Sequence, residues 1–113
     1  MIIGLPANGE DSSSPIAKTF EYCLYYVVTD LDKQKIVTPL LNYIQSATRI
    51  AAIQVAQLLI DHQVKVIITP KISSNTSNIL QKIGIRIYMA VEGSIEKNIS
   101  LFRQGRLDEI KNS

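Results

Sequence analysis

The chain has 113 residues, 46% of them hydrophobic, and a formal net charge of +2. That is enough for one domain with a conventional core, and no apolar run approaches the roughly 20 residues a membrane helix needs. The charge is too small for a nucleic-acid footprint. One cysteine, Cys23, and one histidine, His62, exclude an intramolecular disulfide framework and a self-contained Cys/His zinc site.

Residues 1–5 are apolar, but no basic region precedes them and a polar loop follows, so they read as a first strand and not as a signal peptide. Residues 6–18 (PANGEDSSSPIAK) form a loop of a length that is often functional. Residues 20–29 (FEYCLYYVVT), rich in Tyr and Val, predict a long second strand that contains Cys23. After a turn, residues 34–42 predict a third strand, with Pro39 marking an edge. These segments make an antiparallel meander. Residues 46–62 predict the main helix, capped by Ser46 or Thr48. At 100° per residue, Ala51, Ala52, Val55, Leu58, Leu59 and His62 share its apolar face. Ile50, Ile53 and Ile60 fall outside that face.

The second half alternates strand and helix: residues 65–69 (KVIIT), a short helix over 75–83 closed by Gly84, residues 85–89 (IRIYM), and a helix over 95–103 capped by Ser94 and ended by Gly105. Residues 107–113 read as a polar tail on a single domain of residues 1–106. The order βββαβαβα predicts an α/β, ribonuclease-H-like fold, a five-stranded mixed sheet of order 3-2-1-4-5 flanked by helices. Ligands gather at the carboxyl ends of parallel strands. The first loop, the start of the main helix and residues 70–75 should meet there.

A ribonuclease-type nuclease would need clustered carboxylates for two metal ions, and the strands that would carry them have none. Cys23 and His62 have no third group to orient them, so no catalytic constellation is present and no enzyme is expected. The basic residues Lys18, Arg49 and Lys71 lie in the three converging segments, with Ser73, Ser74 and Asn75 beside them. Arg and Lys supply charge, while Ser and Asn supply hydrogen bonds, and together they predict an anion site. Ile50, Ile53 and Ile60, outside the apolar face, give the alternative reading, a protein-interaction module that has lost the pocket and contacts a second copy or another partner through them. A nucleic-acid or membrane partner is not expected, and a lone thiol fits a cytoplasmic location.

Several blocks of the chain together resemble one family. They are Asn8-Gly9, Asp11, Ser14-Pro15-Ile16, Phe20, and Tyr25-Tyr26 running to Asp30, then residues 51–64 (AAIQVAQLLIDHQV). Residues 66–75 follow with Ile72 and Asn75, then Gly84-Ile85, Tyr88, residues 92–96 (EGSIE) and Gly105. Their order and spacing are similar to those of the dinitrogenase iron–molybdenum cofactor biosynthesis family, the small domains related to NifX, NafY and the C-terminal part of NifB. The resemblance implies a ribonuclease-H-like fold and a non-catalytic carrier of the iron–molybdenum cofactor or an iron–sulfur precursor. The family often carries His-Phe-Gly where this chain has Thr19-Phe20-Glu21. It often carries a His-Gly-Ala-Gly-like start to the main helix where this chain has Arg49-Ile50-Ala51-Ala52. Its Gly/Asn-rich loop after the fourth strand is here residues 70–75 (PKISSN).

Overall fold

The computed structural model describes residues 1–33 and 37–111. The meander is β1 (Ile2–Ala7), β2 (Tyr25–Asp30) and β3 (Thr38–Leu41). Then come α1 (Arg49–Asp61), β4 (Val64–Thr69), α2 (Ser74–Lys82), β5 (Arg86–Met89), α3 (Ile95–Arg103) and β6 (Glu109–Ile110). The sheet order is β3-β2-β1-β4-β5-β6. β1 pairs antiparallel with β2 and parallel with β4, and β4 pairs parallel with β5. The expected α/β class and the order of the first five strands are therefore observed.

β4 shows why its sequence is apolar without alternation. Val66 and Ile68 face one layer and Ile67 the other, so the strand is buried on both sides. One layer is α1 with α2, which place Val55, Leu59 and Leu80 against Tyr26, Val28, Ile67 and Ile87. The other is α3, which places Ile95 on Ile3, Leu5, Val27 and Ile68. Leu59 is fully buried, and burial of a leucine side chain contributes about 2 kcal/mol.

Three expectations need correction. Residues 20–24 are not strand. β2 begins at Tyr25, opposite Ala7, where β1 ends, so upstream residues have no β1 partner. Asn42 instead takes the carbonyls of Glu21 and Cys23 through its side-chain amide, at 2.9 and 3.0 Å. Cys23 thus lies in a buried turn and not inside a strand. His62 is exposed, and its ring contacts the Leu58 carbonyl at 2.9 Å as a helix-end cap rather than joining the apolar face. The segment read as a polar tail adds a sixth strand: Leu107 is buried, and Glu109–Ile110 pair antiparallel with β5.

The helix boundaries follow cap chemistry. Thr48, Ser73 and Ser94 accept the amides of Ala51, Thr76 and Lys97. Thr48 is one of the two expected caps, whereas α2 starts at Ser74, one residue before the expected Asn75, because Ser73 holds the cap. β3 is an edge strand, as Pro39 predicts. The start of the expected third strand, residues 34–36, lies outside the described residues.

Candidate functional site

β1 and β4 run parallel and end together, and the loop after β1 folds back over their carboxyl ends. Backbone bonds hold it: Ala17 N donates to Pro6 O at 2.9 Å, Ile16 N to Gly93 O at 2.9 Å, and Phe20 N to Lys71 O at 2.8 Å. Three single bridges, Ala7–Ile16, Pro15–Ser94 and Thr19–Lys71, tie it to β1, to the turn before α3 and to the loop after β4. These ties enclose a hollow of about 700 Å³ lined by Asn8, Ser13, Pro15, Lys18, Pro70, Lys71, Glu92, Gly93 and Ser94, among others.

Within the loop, Asp11 Oδ1 accepts from Ser13 N at 3.1 Å, Ser13 Oγ at 2.7 Å and Ser14 Oγ at 3.2 Å. The Ser13 hydroxyl, then the Ser14 hydroxyl, hold the Asp11 carboxyl below its ordinary ionisation range. Gly9 packs on the same knot. A Cβ there would lie 2.3 Å from Ser14 Oγ, so position 9 needs glycine for space.

The six residues expected at the anion site separate into three pairs. Lys18 and Lys71 both line the hollow. Arg49 and Asn75 line a smaller depression of about 180 Å³ along α2, with Asn78, Ile79 and Lys82. Ser73 and Ser74 serve the start of α2: Ser73 Oγ accepts from Thr76 N at 3.2 Å, and Ser74 O accepts from Ser77 Oγ at 3.4 Å. Asn75 Nδ2 donates to Ala47 O at 3.2 Å, which links α2 to the approach to α1. The segment carrying Thr19, Phe20 and Glu21 is stitched along residues 71–73. Glu21, only 4% exposed, accepts Ser73 N on its carboxylate at 3.0 Å. This buried side chain stands where the family resemblance places a glycine.

The hollow also contains groups outside the six residues expected at the anion site, in the first loop and in residues 90–94 after the fifth strand. Glu92 places a carboxylate among the lysines' surroundings, and Asn8, Ser13 and Ser94 add an amide and hydroxyls. Lys97 lies alongside and donates to Glu92 O at 3.3 Å. The family blocks already contained Asn8, Glu92 and Ser94; for Lys97 the only signal was its place three residues after the Ser94 cap. The start of α3 offers the hollow no free amides, because Ile95 N and Glu96 N donate to Ser14 O and Ser12 O, both at 2.9 Å. Electrostatic attraction at this hollow therefore rests on side chains.

Cys23 is fully buried, and burial pushes its thiol up to about 11. The Tyr26 hydroxyl next to this cluster has no hydrogen-bond partner among the described residues. Burial, then the Cys23 and Glu21 groups, push its ionisation up. His62 borders a different depression with Ile2, Val28 and Asp30, at the opposite end of β1. Among the described residues, no group of three His, Cys, Asp or Glu side chains could hold a metal ion.

The family model described as dinitrogenase iron-molybdenum cofactor matches residues 1–105. The chain belongs to that family. The apo form of the orange protein from Desulfovibrio gigas has the same fold, with a TM-score of 0.88 and 20% identity over 98% of this chain and 93% of that one. A Thermotoga protein provisionally described as NifB gives a TM-score of 0.83 at 23% identity, covering 99% and 95%. A Methanocaldococcus jannaschii protein provisionally described as a dinitrogenase gives 0.72 at 25% identity, covering 100% and 97%. No curated protein matches the chain. Among the described residues of this family member, no helix is long and apolar enough to cross a membrane.

Proposed function

We propose that this family member is a non-catalytic carrier that holds an anionic metal cluster, the iron–molybdenum cofactor or an iron–sulfur precursor, in the hollow between Lys18 and Lys71. One observation carries the proposal: two lysines from different segments face one hollow at the carboxyl ends of parallel strands, in a chain of this family. The residues fit outer-sphere capture. Two ammonium groups supply charge, and Asn8, Ser13 and Ser94 supply hydrogen bonds to cluster sulfides or terminal ligands. They do not fit capture by thiolate or imidazole, because Cys23 is sealed in the core and His62 lies elsewhere. Glu92 is the one carboxylate lining the hollow among the described residues.

The test is anaerobic titration of the chain with a synthetic anionic iron–sulfur cluster, followed by gel filtration and iron analysis. The proposal expects iron to co-elute at a fixed ratio. Protein free of iron after the column would overturn it.

A specific observation favours a second role as well. Ile50, Ile53 and Ile60 are 73%, 55% and 48% exposed on one helix of modest size, as an apolar contact for a protein partner or a second copy would be. Light scattering across a concentration series separates a homodimer from a monomer, and a monomer at every concentration would rule out self-association.

A further inference from the structure

Asn8 is the only asparagine in the chain followed by glycine. It lies at the end of β1, is exposed, and lines the hollow that also contains Lys18 and Lys71. Its backbone N–H donates to Pro15 O at 3.3 Å, whereas its side-chain amide and the Gly9 N–H have no partner among the described residues. A Cβ at Gly9 would lie 2.3 Å from Ser14 Oγ, so a larger residue there would force Ser14 to shift. The packing therefore keeps a glycine, whose N–H has no acceptor among the described residues, directly after an exposed asparagine whose side-chain amide is unbonded there.

The other asparagines supply the contrast. Asn42 Nδ2 is buried and bonded to Glu21 O and Cys23 O at 2.9 and 3.0 Å. Asn98 Nδ2 is buried and bonded to Val91 O and Ser94 O, both at 3.0 Å. Asn75 and Asn78 lie within α2, where the following amide belongs to the helix. Asn112 lies outside the described residues.

We propose that Asn8 is a built-in deamidation site whose conversion weakens anion capture by the hollow. The Gly9 amide nitrogen attacks Asn8 Cγ, forming the N–Cγ bond. The Cγ–Nδ2 bond breaks, and ammonia leaves with the amide proton. Water then opens the cyclic imide at either carbonyl, leaving aspartate or isoaspartate at position 8. The balance is one water in and one ammonia out, with no change of oxidation state. Ring closure is intramolecular, so freedom of the Asn8–Gly9 pair sets its rate. The product places a new carboxylate in the hollow beside Lys18 and Lys71, where it competes with an anionic guest. The chemistry stands on the loop alone, and its consequence rests on the anion-carrier function proposed above.

Incubation of the full chain at mildly alkaline pH, with peptide mapping by mass spectrometry over time, tests the chemistry. Conversion at Asn8 should run at least about tenfold faster than at Asn42, Asn75 or Asn98. Asn8→Gln, which lengthens the tether to the amide, should remove this early conversion. Equal or slower conversion at Asn8 than at Asn75 would overturn the proposal. For the consequence, Asn8→Asp should bind the synthetic iron–sulfur cluster at least about threefold more weakly than the unmodified chain. Unchanged binding would remove the regulatory role. If the unmodified chain binds no cluster while Asn8 still converts, the carrier function fails and the modification site stands.

Discussion

The hollow at Lys18 and Lys71 and the depression at Arg49 and Asn75 contain the same kinds of side chain on very different supports. In the hollow, the two lysines come from loops tied to each other, to β1 and to the turn before α3 by backbone bonds and single bridges. In the depression, four of the five lining residues project from α2 alone, beside the first residue of α1. The lysines of the hollow converge from loops anchored to each other and frame a space of about 700 Å³; Arg49 of α1 and Lys82 of α2 flank only about 180 Å³ on a solvated face, where screening over about 10 Å removes most of their value. Convergence of anchored segments, more than the count of basic residues, distinguishes a binding site from a charged surface.

The comparison breaks most easily at the lysines. Reversing both, Lys18→Glu with Lys71→Glu, should weaken binding of the synthetic iron–sulfur cluster by roughly 100-fold or more in anaerobic titration, since each charge-assisted contact contributes about 1.5–3 kcal/mol. The same titration of Arg49→Glu should change affinity by less than about twofold. Removing the anchor instead of the charge is the next effect in size. Gly9→Ala forces Ser14 or the loop to move and should cost about 2 kcal/mol in denaturant unfolding, with affinity falling as the loop shifts. The smallest change sharpens the picture: Glu92→Gln removes the opposing carboxylate and should tighten anion binding about threefold.

The thiol offers a pH check on the buried turn behind the site. Its raised pKa means the folded state favours the protonated form. That contribution to stability is present below the ordinary 9.0 and is lost as pH rises towards about 11. Cys23 should therefore resist alkylation at neutral pH until the protein is unfolded. Between about pH 9 and 10, unfolding midpoints should fall more steeply in the native chain than in Cys23→Ala, the raised Tyr26 hydroxyl contributing to both above that.

Much of the fold was legible because local signals agreed with the tertiary arrangement. Pro39 marked an edge, Ser94 capped α3, and Gly84 and Gly105 adopt positive φ of 88° and 71° where helices end. The apolar run of β4 announced burial on both faces. The two strand misreadings share a physical origin, since each depended on what lay across from a segment, whereas His62 left the apolar face through a local bond to its own helix. Residues 20–24 have strand-like composition, but β1 stops at Ala7 and leaves them no ladder. Leu107 and Ile110 are sparse among polar neighbours, and only the free edge of β5 turns them into sheet.

The site was legible to the level of which segments meet, but not which side chains face one another. Lys18 and Lys71 came together because Thr19 pairs with Lys71. Arg49 and Asn75 line a separate depression, and between it and the hollow Glu21 bonds Ser73 N at the start of α2, a contact between residues 52 positions apart that no local pattern encodes. Residues 90–94 were legible as a functional segment after the fifth strand, but Glu92 itself was not, because its place depends on the turn before α3 folding over the loop after β1.

The most direct measurement is a two-dimensional amide NMR spectrum of the isotope-labelled chain, recorded anaerobically with and without the synthetic iron–sulfur cluster. Paramagnetic broadening centred on the residues that line the hollow, Asn8, Ser13, Lys18, Lys71, Gly93 and Ser94 among them, is the expected result. Broadening centred on Arg49, Asn75 and Asn78, or a spectrum unchanged by the cluster, would contradict the account.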